Sequence, residues 1–172
     1  YWDERIGRYV AWLKLQVADD GTPMFPFVDP VISTPPAISP TLLRPGRSIG
    51  RIELDDLTAP WPENNIRTVL AADEVDPANS DIYHHDVLPY IEAEDAYFMF
   101  PMTYQHFDEN ETTVGNDGLN DAQFASSRDS IHWIRYDRQP YIGRGLRGNF
   151  DSGTVHASPT HLRRGDQMLQ MY

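Results

Sequence analysis

The chain of 172 residues contains no cysteine, so disulfides and thiolate chemistry are both excluded, although the compartment is not thereby fixed. It is almost without lysine: of 14 basic residues only Lys14 is one, and the rest are arginines. Basic charge as a whole is scarce, since 26 acidic residues leave a formal net charge of −12. Nucleic-acid binding needs basic surface to displace counterions, so no nucleic-acid partner is expected. Nor does this balance attract anionic lipid. Long apolar runs are missing too, and with them any helical membrane span or opening signal segment. A leader removed before Tyr1 stays open, and an extracellular or periplasmic location is slightly favoured over a cytoplasmic one.

What is present is globular material. Hydrophobic residues make up 40% and aromatics 12%, with four Trp and nine Tyr, enough for one domain with a sizeable core. The runs "YVAWLKL", "SIGRIEL", "AYFMFPMTY", "DAQFASS" and "IHWIRYD" are β-branched or aromatic and bounded by Gly, Pro, Asn and Asp. No segment of helical length shows a clean 3.6-residue period. The expectation is an all-β chain. "AQFASSRDSIHWIRYDR" (122–138) reads as strand, polar turn and strand.

The same grammar recurs. Trp61 and Trp133 lie 72 residues apart, closing the turns "DDLTAPW" and "SRDSIHW". That offset also lays "SDIYHHDVLPYIEAEDAYFMF" (80–100) over "SGTVHASPTHLRRGDQMLQMY" (152–172), matching Ser80 with Ser152 and His84 with His156. An earlier echo of the last strand is "GRYVAWLKL" (7–15). Repeat units are set at about 51–122 and 123–172, each of about four strands, as in a propeller blade. Asp55, Asp56 and Asp129 read as turn-bonding residues. Residues 22–46 hold seven of the fourteen prolines and are expected to form a surface excursion outside any sheet.

"GRSIGRIELDDLTAPW", "DIYHHDVLPYIEAEDAYFMFPMTY", "DAQFASSRDSIHWIRYDRQPYI" and "GNFDSGTVHASP" together resemble the five-bladed β-propeller glycoside hydrolases. This is the superfamily that cleaves fructan, sucrose, arabinan and xylan, in particular its loosely characterised bacterial members. The resemblance implies that residues 1–172 form one propeller domain, or a fragment supplying about two and a half blades. The remainder of the propeller or an oligomer partner would then close the fold and cover sheet faces, with Tyr97, Phe98, Met99 and Phe100 among the residues at risk of exposure.

The resemblance further implies an axial funnel with acidic residues on the innermost strands, here "SDIYHHDVLPY" and "FDSGTVHA". Glycosidic cleavage needs one carboxylic acid to protonate the leaving oxygen and a second carboxylate to attack or to activate water. Asp81 or Asp86 and Asp151 are the implied catalytic residues, and Tyr83, His84, His85 and His156 the implied substrate-binding ones. The superfamily's acid is usually Glu where Asp151 stands. Asp81 and Asp151 also have a plainer reading as turn caps. Tyr90, Phe107 and Trp133 are read either as sugar-stacking or as packing between blades. No cofactor is expected, with a structural or axial metal ion such as calcium left open. The partner is a carbohydrate, either hydrolysed or, in a non-catalytic propeller whose carboxylates have drifted, only bound.

Overall fold

A computed structural model describes residues 1–27, 43–108 and 118–172. The chain is all-β. Among the described residues twelve strands run in order: β1 (Trp2–Asp3), β2 (Arg8–Val17), β3 (Leu43–Leu54), β4 (Arg67–Asp73), β5 (Ser80–His84), β6 (Val87–Pro89), β7 (Tyr97–Met99), β8 (Met102–His106), β9 (Gly118–Ala122), β10 (Ala125–Ser127), β11 (His161–Arg164) and β12 (Gln167–Gln170). They form four antiparallel sheets with orders β1-β2-β3-β4, β5-β8-β9, β10-β7-β6 and β11-β12. A 3₁₀ turn at Glu63–Asn65 precedes β4.

The four-stranded sheet is the scaffold. β2 and β3 pair without interruption from Tyr9↔Leu54 to Val17↔Gly46. Alternation then divides β3 cleanly. Ile52 and Leu54 pack with Leu15 and Ile66 on one face. Ile49 points to the other face, where it meets Val69, Leu70, Ile82, Tyr97, Met99, Ala125 and Trp133, the core shared with the neighbouring sheets. At Gly50 a Cβ would collide with the Leu15 side chain, so glycine lets this leucine lie flat across the sheet.

Two segments expected as strands are not. Residues 131–137 hold only an isolated bridge, Ser126↔Ile134, so the 122–138 stretch is a strand returning through one bridge, not a hairpin. The reason is Trp133: its indole is buried and donates to the Ser130 carbonyl at 3.2 Å, folding the segment back onto its own turn. "FDSGTVHA" likewise holds a single bridge, Asn120↔Thr154, because the turn-forming residues "GNFDSG" bend the backbone, with Asn149 donating to Leu146 and Ser152 to Asn149. The two tryptophans of the repeat are therefore in unlike places, Trp133 at 2% exposure and Trp61 at 44%. Residues 80–84 are a strand, whereas 152–156 are not.

The proline-rich excursion also ends earlier than expected. Leu43–Gly46 belong to β3, and Pro23 bridges Val17; residues 28–42 lie outside the described ones. Pro45 is tolerated because β3 and β4 lose register between Leu43 and Ser48, where no ladder N–H is required. The apolar surface lies elsewhere than expected. Tyr97, Met99 and Phe100 are at most 2% exposed, while Ile91, Leu146 and Phe150 are more than 80% exposed.

Asp56 and Asp129 bond their own turns as read, whereas Asp55 is drawn away to an arginine of β2. Asp56 accepts from the Thr58 backbone and hydroxyl, and Asp55 pairs with Arg8. Asp129 accepts from the backbone N–H groups of Ile131 and His132 and pairs with the His132 ring at 2.6 Å. Burial works against its charge, but these bonds prevail and draw the Asp129 carboxyl down to about 2.

Candidate functional site

The site begins at a defect in a sheet. β5 pairs with β8 through Ile82↔Thr103 and then His84↔Met102, so Tyr83 is the extra residue of a bulge. A bulge re-aims side chains, and here it turns Tyr83 and His84 toward a partly open face. The strand breaks after His84, and Asp86 sits before β6 with its Oδ1 3.6 Å from His84 Nε2. From the far segment comes His156, exposed, its ring 5.9 Å from His84 and 6.5 Å from Tyr83.

Cations line the inner side. Lys14 Nζ lies 4.1 Å over the Tyr83 ring, and the Arg47 guanidinium lies 4.6 Å over both Tyr83 and Tyr104. Arg47 in turn holds Asp81: the backbone N–H and Nε of Arg47 donate to Asp81 Oδ2 at 3.0 and 2.7 Å. His106 Nε2 stands 3.4 Å from the same oxygen. This close approach needs the left-handed backbone of Gly46 (φ 120°), where a Cβ would come within 2.8 Å of the Asp81 carboxylate.

Burial separates the histidines. His85 is turned inward; its nonaqueous surroundings, and then the charge of His84, push its pKa down to about 4, against the pull of Asp86 and a bond to the Trp12 backbone. For His156 the same two causes lower the pKa, opposed by Asp86. His85 is thus a neutral wall of the site at physiological pH, and His84 and His156 are its polar edge.

Of the residues singled out in the sequence, Tyr83, His84, Asp86 and His156 therefore come together, with His85 behind them. Asp81 adjoins the cluster but is 4% exposed and engaged by Arg47. Asp151 stands in the turn that precedes His156. Its carboxylate lies against Gly145, and among the described residues it makes no hydrogen bond or ion pair with Asp81, Asp86 or the histidines. Among the described residues no group of three or more His, Asp or Glu side chains is arranged to hold a metal ion. Tyr90 stacks on Phe98 at 4.7 Å in a separate cavity of about 480 Å³, and Trp133 is core.

Lys14, Arg47, Tyr104 and His106 were not foreseen. Lys14 and Arg47 reach the site from β2 and β3, and nothing local to "AWLKL" or "RPGRSIG" announces it. His106 follows Tyr104 at strand spacing, a signal that places both on one face of β8 but not against Arg47.

Chemically, this arrangement can donate and accept hydrogen bonds and offer ring faces. It offers imidazole N–H and N groups, a carboxylate acceptor and aromatic edges on a partly exposed surface. No protein-family model, curated protein or solved structure matches the chain.

Proposed function

We propose that this chain belongs to a β-propeller of the glycoside hydrolase type, five-bladed, of which these residues supply about two and a half blades. Its ligand is a poly- or oligosaccharide held over His84, Asp86 and His156. The observation that carries the reading is the convergence of these side chains, from segments some seventy residues apart, with His84 and His156 5.9 Å apart and Asp86 beside them. In this reading Asp86 is the carboxyl that reaches the sugar and exchanges the proton. Asp81, fixed by Arg47, positions Arg47 and Tyr83 and does not touch the reacting bond. The bare apolar side chains at Ile91, Leu146 and Phe150 support a further partner surface, either the rest of the propeller or a second subunit.

A second reading, carbohydrate binding without cleavage, is favoured by one observation: Asp81, the carboxylate nearest in sequence that could pair with Asp86, is 4% exposed and engaged by Arg47, whereas Asp86 faces His84. The longest soluble form of the protein containing these residues separates the two. It is incubated with a panel of plant, algal and microbial polysaccharides, products are read by chromatography, and binding by calorimetry. Hydrolysis predicts products that disappear in Asp86→Asn while affinity persists. Binding alone predicts no products and an affinity loss of about 1–3 kcal/mol in the same variant. Absence of any carbohydrate binding across the panel rejects both.

A further inference from the structure

A second polar pocket lies on the four-stranded sheet, and its charge runs against that of the chain. Its volume is about 240 Å³, and Arg8, Arg51, Arg67, Glu53 and Asn65 line it. In a protein of net charge −12, three guanidiniums here face two carboxylates, Glu53 and the Asp55 that pairs with Arg8. Two of the arginines are cross-strand partners, Arg51 of β3 opposite Arg67 of β4. Like charges directly opposite one another destabilise a ladder unless something neutralises them.

The internal carboxylates do so only in part. Arg8 is spent, giving Nε and Nη2 to Asp55 and Nη1 to Glu53. Glu53 is spent as well, one oxygen on Arg8 and the other on Arg51 Nη1 at 2.6 Å. Burial raises the Glu53 pKa, but the bonds and charges of the two arginines outweigh it and hold the carboxyl below its ordinary value. Arg51 is 5% exposed, and its Nη2 makes no protein hydrogen bond among the described residues. Exposed Arg67 likewise makes none with any described residue.

The orientation of Arg51 is itself built. Its Nε donates to Ser130 Oγ at 3.1 Å. Ser130 is fully buried and has a left-handed backbone (φ 62°), a conformation that a non-glycine residue keeps only where its surroundings impose it. Ser127 Oγ accepts the Ser130 N–H at 2.8 Å and Trp133 Nε1 donates to the Ser130 carbonyl, which together fix the turn. The next residue, Ile131, closes one wall of the pocket. A strained turn is thus held so that a buried guanidinium keeps one edge toward a cavity.

From this geometry we infer that the pocket is an oxyanion site, taking a tetrahedral sulfate or phosphate group between Arg51 and Arg67, either as the free ion or as an ester on a sugar. Guanidinium edges match such oxygens in number and direction, and a partly desolvated fork binds them more firmly than an ammonium does. The site is distinct from the His84–His156 cluster and stands whether or not that cluster binds carbohydrate.

The test uses the same soluble protein and calorimetric titration with sodium sulfate and sodium phosphate at constant ionic strength set by chloride. Sulfate or phosphate is expected to bind in the millimolar range or tighter. Arg67→Gln, which removes an exposed group that bonds no described residue, is expected to weaken binding at least tenfold while the melting temperature in chloride stays unchanged. Ser130→Gly suits the left-handed backbone, removes the hydroxymethyl group whose Oγ aims Arg51, and is expected to weaken binding severalfold. A sulfated monosaccharide titrated beside its neutral parent tells the two sources apart: selective binding of the ester at least as tight as that of sulfate assigns the sugar-borne group, and weaker ester binding assigns the free ion. Asp86→Asn is expected to bind sulfate as the parent does, so loss of the carbohydrate reading leaves this one intact. Equal binding by Arg67→Gln and the parent, or heats no larger than those for chloride, overturns the site.

Discussion

Replacing Asp76 by alanine is expected to be among the most damaging single changes in the core. Its carboxylate is fully buried. It accepts from Arg135 at 2.7 and 2.8 Å, from Arg138 at 3.0 Å and from the Asp73 backbone N–H at 2.9 Å. Arg135, whose side chain is 2% exposed, also donates to Asp73 and to the Ala71 carbonyl. The four side chains are neutral as a set. Removing one carboxylate leaves a buried guanidinium half-compensated, a change that costs about 3–5 kcal/mol. For a domain of this size that corresponds to a fall in melting temperature of roughly 6–20 °C. Urea denaturation at pH 7 checks the magnitude, with an unchanged m-value as the sign that the mechanism is loss of stability. The double variant Asp76→Ala/Arg135→Met, which removes both charges, is expected to recover a substantial part of the loss. The network also predicts a pH dependence. Burial raises the Asp76 pKa, but the Arg135 charge and bond outweigh it and hold the folded value below the ordinary 3.8. This contribution is therefore complete above about pH 4 and is lost as pH falls through the lower, folded value. A loss under about 1 kcal/mol for Asp76→Ala, or strict additivity in the double variant, would refute the reasoning.

Acid acts earlier through His85. Its folded pKa is depressed to about 4 against 6.5 for the exposed imidazole, so the unfolded chain takes up the proton first. Stability is expected to fall between pH 6.5 and 4, by up to about 1.4 kcal/mol per pH unit at the steepest, and His85→Gln should flatten that slope in a series of thermal melts. The tryptophans, alike in sequence, are expected to differ in energy: Trp133→Ala, at a 2% exposed position, should cost about 3–5 kcal/mol, whereas Trp61→Ala, at a 44% exposed one, should cost less than about 1 kcal/mol. Chemical denaturation of both variants checks this, and equal losses would restore the equivalence that the sequence suggests.

The sequence carried strand identity wherever alternation and β-branching were dense, as in "YVAWLKL" and "SIGRIEL", because those patterns fit a half-buried pleated surface and nothing else of that length. It misled where composition resembled a strand but a single long-range contact decided the backbone. "IHWIRYD" looks extended, yet the indole of Trp133 finds the Ser130 carbonyl and the arginine finds Asp73 and Asp76, more than fifty residues away. Local periodicity holds no information about such partners. The cluster of Tyr83, His84 and Asp86 was legible because its members are neighbours in the chain. Its cationic side was not, since Lys14 and Arg47 arrive by sheet register. Asp151 was chosen by position in a motif, and the turn around it uses the residue for its backbone and for packing against Gly145.

β3 carries Arg47 and Arg51, with Ile49 between them in the core, all on the same face of one uninterrupted ladder to β2. Four residues of extended chain span about 13 Å. The strand acts as a ruler: it sets the distance between the histidine-lined face and the arginine pocket, and no loop can relax that distance. A deletion of one residue between Gly46 and Ile49 would reverse the side on which Arg47 emerges while leaving Arg51 in place, breaking one site and sparing the other. A deletion nearer Leu54, between Arg51 and Glu53, would do the opposite. Length changes in this strand therefore offer a way to uncouple the two recognition surfaces without altering any residue that forms them.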